Sequence, residues 1–321
     1  MHSRSRTRCL SLEASKAPSN LPRRPPARNR RPCRHIIVGA AVPNPKIDTR
    51  DWSKLTLGDR IRQIEVEGYL VSPGLIDDAT ISQLKAETAQ LELRAVDYSP
   101  HQKGAPDIQF RGGAITSLIA NPPAIAFLRE LFGDEIVLMS YAFARSEPGH
   151  PGISLHTDGQ PWGSKIFGYG GSCPQLVRVL YYLDDLTPEV SPFRVVPHSH
   201  LSMHADGNPY LRYASHPEEV MVPVKAGGAV LLNHRVFHGN FPNVGDRVRD
   251  MLAIAYRPGW AGPMTPEIPQ WPTAQLASLS PAVRTLFLDR NLRHWAFEGA
   301  NKPEGMKADA PGINPSRWDR R

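Results

Sequence analysis

The triplet His156-Thr157-Asp158, with a further histidine, His238, far downstream at the end of an apolar run, constrains the fold of this chain more than any other feature. Side chains two apart in an extended segment point the same way, so His156 and Asp158 can face one point in space while Thr157 turns away. A third ligand must then come from a distant strand, which requires segments remote in sequence to lie side by side. Two imidazoles and one carboxylate suit one face of an octahedral ferrous ion and leave adjacent positions for a bidentate co-substrate and dioxygen. Arg249 follows eleven residues after His238, near the start of the apolar stretch 251–256 and beyond a turn-rich segment, 242–246. The stretches 230–240 and 251–256 read as antiparallel neighbours joined by a loop, an arrangement that would bring the guanidinium near the metal. A planar, permanently charged fork matches the carboxylate that 2-oxoglutarate carries at its non-chelating end.

Rival assignments lie close by. His234 shares the strand parity of His238 and would face the same side unless a bulge intervenes. Arg247 shares the parity of Arg249. His234 and His238 also have the i, i+4 spacing of a zinc-protease helix, but Arg235 stands where that motif needs its glutamate base. His198, His200 and His204 look like a metal cluster, although a structural role is the commoner reading of such residues. Tyr181 and Tyr182 read as packing, and Trp162 as a candidate for lining the pocket.

At these residues the chain resembles the phytanoyl-CoA dioxygenase family of iron(II)- and 2-oxoglutarate-dependent oxygenases. The resemblance runs in order through Gly68-Tyr69, His156-Thr157-Asp158, Pro197-His198-Ser199-His200, Gly227-Gly228 and Phe237-His238-Gly239-Asn240 to Arg249. It implies metal ligation by His156, Asp158 and His238, and a salt bridge from Arg249 to the distal carboxylate of 2-oxoglutarate. It also implies a mainly β fold with flanking α-helices, the double-stranded β-helix of jelly-roll, cupin-like proteins. Two departures stand out. Asn240 replaces a frequent serine, and His198 a common glycine. Asp158 is kept where related halogenases carry a small residue, so the resemblance favours hydroxylation of a small-molecule substrate with release of succinate and CO2. A non-catalytic cupin-like metal- or ligand-binding protein is the alternative.

Charge is unevenly distributed along the chain of 321 residues. Residues 1–50 hold 12 of the 38 Lys and Arg but 2 of the 31 Asp and Glu, so the remainder is slightly acidic despite a net charge of +7. A basic folded surface for nucleic acid is therefore not expected. Cys9, Cys33 and Cys173 are too scattered for a disulfide framework or a thiolate cage, which points to a reducing compartment. No apolar run reaches the ~18 residues of a membrane span. A cytoplasmic protein is expected, the alternative being an organellar one with residues 1–50 as transit peptide.

The organisation reads as a disordered basic extension over 1–50, an oxygenase domain over 51–260 with order beginning near Trp52, and a C-terminal helix with a Pro/Gly-rich tail over 261–321. Helices are expected over 57–67, from Asp77 or Asp78 to about 93, from Pro122 to Gly133 and over 281–292. Strands are expected over 69–71, 136–143, 176–183, 193–196, 220–224, 230–237 and 251–256. The segment 98–117, with Lys103 and Arg111, and the region after Pro258 read as substrate-selecting loops.

Overall fold

The structure is a computed structural model that describes residues 45–96, 98–158, 174–201, 215–261 and 271–289. In chain order its elements are β1 (Lys46–Ile47), α1 (Leu57–Val66), β2 (Tyr69–Ser72), α2 (Asp78–Thr88), β3 (Arg94–Val96), β4 (Ser99–Pro106), α3 (Gly113–Leu118), α4 (Pro122–Phe132) and β5 (Ile136–Ser146). There follow β6 (Ile153–His156), β7 (Val177–Tyr182), β8 (Phe193–Val196), β9 (Val220–Val222), β10 (Ala229–Asn233), β11 (Phe237–Asn240), β12 (Arg249–Pro258), α5 (Thr273–Ser278) and α6 (Pro281–Thr285).

The strands form two sheets, a five-stranded one ordered β1-β9-β8-β11-β6 and a seven-stranded one ordered β2-β10-β7-β12-β5-β4-β3. Every pairing is antiparallel except that of β1 with β9. This is the double-stranded β-helix with flanking helices that the resemblance implies. α1 packs on β2 and β10, and α4 on β5, so both helices lie against the larger sheet. Ile61 and Ile64 of α1 and Leu128 of α4 are fully buried in the same apolar cluster as Leu232, Ile254 and Val179 of that sheet. Each such side chain contributes about 1.5–3 kcal/mol of burial free energy.

Local sequence explains where the helices start. Thr56 and Asp59 form a reciprocal capping box on α1, Asp77 caps α2 through Thr80, and Asn121 caps α4 ahead of Pro122. α2 stops at Thr88, short of the expected residue 93, because 94–96 pairs as an edge strand with β4. β4 itself occupies much of a segment expected to be loop, since its backbone pairs with β5. At the C-terminal end, α6 closes at Thr285 instead of near 292, and α5 was not expected; residues beyond 289 lie outside the described ones. Regular structure also begins earlier than Trp52. Lys46 and Ile47 pair with Val220 and Met221, and Asp48 accepts a 2.7 Å hydrogen bond from the Tyr69 hydroxyl. No helix among the described residues is long and apolar enough to cross a membrane.

The expected single strand over 230–237 is instead two. β10 ends at Asn233 in the larger sheet, and β11 begins at Phe237 in the smaller one. Between them Val236 N–H donates to Asn233 O at 3.0 Å and Phe237 N–H to the Ser199 hydroxyl at 2.8 Å, so the chain crosses from one sheet to the other. A second expectation fails for the same reason. β11 and β12 are not neighbours in one sheet; β11 pairs with β6 and β8, and β12 with β5 and β7.

The β5–β6 connection depends on a glycine. Gly152 has φ +86, and a Cβ there would lie 2.7 Å from the Asn240 carbonyl oxygen. Both the positive φ and this contact oppose a side chain, so Gly152→Ala should destabilise the protein by about 1–3 kcal/mol. Gly74→Ala, at φ +57 with nothing within 4 Å, should cost less. Urea unfolding midpoints that fall equally for the two variants would contradict this account.

Candidate active site

His156 ends β6 and His238 lies in β11, directly opposite it in the antiparallel register. Their ring centroids are 4.6 Å apart. Asp158 follows β6 by two residues, and its N–H donates to His234 O at 2.8 Å, which fixes the carboxylate against the crossover. Asp158 Oδ1 is 3.7 Å from His156 Nε2 and Oδ2 is 3.4 Å from His238 Nε2. One ligand atom from each of the three residues falls within 4.8 Å of the others, the size of a site for one metal ion.

The outer contacts set the chemistry of the imidazoles. His156 Nδ1–H donates to Ser154 O at 2.8 Å, and His238 Nδ1–H to Val236 O at 2.9 Å. A carbonyl can only accept, so each Nδ1 carries a proton and each Nε2 faces Asp158. Burial by itself would raise the Asp158 pKa. Arg178, whose Nε lies 2.7 Å from Oδ2, and then the two histidines outweigh it and hold the carboxyl well below its ordinary range. Two imidazole Nε2 atoms and a carboxylate are a donor set that suits a divalent first-row metal.

The rival histidines have other partners. His234 is buried in the crossover, its Nδ1–H donating to Leu176 O at 3.1 Å, and burial pushes its pKa down to about 4. His198 adopts φ +65 at the position where the resemblance has a common glycine, and its Nδ1–H bonds Val66 O at 2.9 Å. His200 is buried, with Nε2–H donating to Glu65 O at 2.9 Å. These two hold the turn after β8 to the end of α1. His204 and Trp162 lie outside the described residues.

Arg249 opens β12 opposite Ser146 of β5. Its side chain is fully buried, and Nε, Nη1 and Nη2 all lack a hydrogen-bond partner among the described residues. The neighbouring carboxylate does not serve it. Asp250 points to the other face of the strand and takes a bidentate pair from Arg145, at 2.7 and 2.8 Å. The guanidinium carbon lies 5.9 Å from the Tyr182 ring centroid. Burial pushes the Tyr182 phenol up to about 12, against the pull of Arg249 and of the Asn240 amide. Asn240 and His238 both lie in β11. A buried, unpartnered charge costs several kcal/mol, and an anionic ligand would relieve that cost. Arg247 is exposed in the preceding turn. Lys103 is paired with Glu147 at 2.7 Å, and Arg111 is exposed.

Arg178 and Tyr182 were not singled out by the sequence as site residues. Arg178 carried a signal, as the one charged side chain in the apolar run 176–183. Tyr182 carried none, since a tyrosine in a strand is ordinarily packing.

No curated protein matches the chain. Among solved structures, HygX from Streptomyces hygroscopicus with nickel and 2-oxoglutarate bound superposes with a TM-score of 0.53 at 20% identity, covering 63% of this chain and 87% of that one. The non-heme alpha ketoglutarate dependent epimerase SnoN from nogalamycin biosynthesis gives 0.53 at 19%, covering 63% and 81%. The carbocyclase SnoK from the same biosynthesis gives 0.52 at 18%, covering 64% and 87%. These likenesses establish the fold. The family model of phytanoyl-CoA dioxygenase matches residues 64–251, more than half of the sequence, and the chain belongs to that family.

Proposed function

We propose that this protein is an iron(II)- and 2-oxoglutarate-dependent dioxygenase that hydroxylates a small-molecule substrate. The observation that carries the reading is the cluster of two Nδ1-protonated histidines and one carboxylate, together with an Arg249 guanidinium that is fully buried and has no hydrogen-bond partner among the described residues. His156, Asp158 and His238 would hold the iron, and Arg249 the distal carboxylate of 2-oxoglutarate. Bound iron(II) supplies the redox chemistry by which dioxygen converts 2-oxoglutarate to succinate and CO2 and a substrate C–H to an alcohol.

The chain's own groups bind and orient. The carbonyls of Ser154 and Val236 keep both rings turned with Nε2 toward Asp158. Arg178 sits against Asp158 and neutralises its charge until a cation arrives. Phe193 stacks against His238 with ring centroids 6.1 Å apart and gives the cluster one apolar wall. Solved neighbours support a small-molecule partner, since HygX has been crystallised with hygromycin B as well as nickel and 2-oxoglutarate. The retained Asp158 favours hydroxylation over halogenation.

Purified, iron-loaded protein screened against a metabolite panel should release succinate from 2-oxoglutarate in step with product carrying one added oxygen. Failure to bind either iron or 2-oxoglutarate would instead support the non-catalytic, cupin-like alternative.

A further inference from the structure

One buried polar side chain of the fold is left without a task by this reading. His150 lies in the loop between β5 and β6, 1% exposed, and neither ring nitrogen has a hydrogen-bond partner among the described residues. The loop is firmly held. His150 N–H donates to Glu147 O at 3.1 Å, Asn243 N–H to His150 O at 3.0 Å, and Gly149 N–H to Asn243 O at 2.9 Å. The ring lies beside Tyr98, with centroids 6.2 Å apart.

The loop leaves β5 just after Ser146, the residue paired with Arg249. Burial, then the Arg249 guanidinium, then His101 push the His150 pKa down to about 4, so the imidazole is neutral and within electrostatic reach of Arg249. A neutral imidazole carries one N–H donor. Leaving that donor buried without an acceptor costs about 1–3 kcal/mol, as does each unmade bond of the guanidinium. A histidine that only packs would be expected to give its N–H to a carbonyl, as His200 and His234 do. Two sets of buried donors at one end of the β5–β12 pair match the oxygens of one carboxylate.

We propose that His150 is a second binding residue for the distal carboxylate of 2-oxoglutarate, its ring N–H donating to one oxygen while Arg249 forks onto the group from β12. The inference rests on the function proposed above. It places the co-substrate's charged end between a strand of the larger sheet and the loop that leads to the metal-facing histidine. The loop would then be ordered by the ligand as well as by Asn243.

The test is calorimetric titration of 2-oxoglutarate into the zinc-loaded protein, which holds a metal without turnover. His150→Phe keeps the ring's bulk and removes the donor, and should weaken 2-oxoglutarate binding about tenfold or more while leaving zinc affinity unchanged. His150→Gln restores an N–H donor and should recover most of the affinity. Unaltered 2-oxoglutarate affinity in His150→Phe would overturn the assignment, and so would a parallel loss of zinc and 2-oxoglutarate binding in both variants. Wild-type protein that binds zinc but no 2-oxoglutarate would overturn the function proposed above and this inference with it. Wild-type binding alongside an unaffected His150→Phe removes the inference alone.

Discussion

Asp158→Gly protein should lose succinate formation to the background of a metal-free sample and should give up iron to a weak chelator. Asp158 is the only anionic member of the three-residue cluster, and it also counters Arg178 at 2.7 Å. With the carboxylate gone, a permanently charged guanidinium faces two imidazoles, so the site would repel a cation as well as lack a ligand. Iron affinity should fall by more than the roughly 10–100-fold that loss of an outer partner costs a metal site. His156→Ala and His238→Ala should behave alike. His234→Ala keeps the carbonyl that accepts from Asp158 N–H and should retain much of the activity. Undiminished iron retention and turnover in Asp158→Gly would sink the proposed metal site, and loss of iron in His234→Ala matching that in His238→Ala would reopen the ligand assignment.

Arg249→Met should raise the 2-oxoglutarate concentration needed for half-maximal succinate release roughly ten- to a hundredfold, the contribution of about 1.5–3 kcal/mol typical of a charge-assisted contact. Iron affinity should change little. The same substitution carries a second expectation. In ligand-free protein the guanidinium is fully buried with all three nitrogens unpartnered, so an apolar side chain of similar length should raise the thermal midpoint. Added 2-oxoglutarate should then stabilise the wild type and not the variant. Arg247→Ala, exposed in the turn, should alter neither quantity. A shift in co-substrate requirement that follows Arg247 instead would transfer the role to it. A lower thermal midpoint for ligand-free Arg249→Met would show that the guanidinium has a structural partner.

The position of Arg249 illustrates how a local pattern can find a residue and misplace it. Eleven residues after His238 and at the head of an apolar stretch, it was legible as a site candidate. The route by which it reaches the site was not. A hairpin between β11 and β12 satisfied every local turn signal, yet the chain changes sheets between Asn233 and Phe237, so Arg249 belongs to the larger sheet and His238 to the smaller. Which strands pair is decided by contacts remote in sequence, which turn residues and alternation do not report.

The sequence by itself determined that His156, Asp158 and His238 converge, because alternation fixes the first two on one side and the ordered family motifs single out the third. It also determined the helix starts at Thr56, Asp77 and Asn121, where the cap is a local hydrogen bond between residues three apart. Only the tertiary structure decided that His234 faces a carbonyl of Leu176, that Arg178 reaches Asp158, and that Arg249 and His150 are buried without partners. A charge is buried or orphaned only in relation to the groups that surround it. Here those surroundings come from strands and loops up to a hundred residues apart along the chain, such as Ser146 beside Arg249.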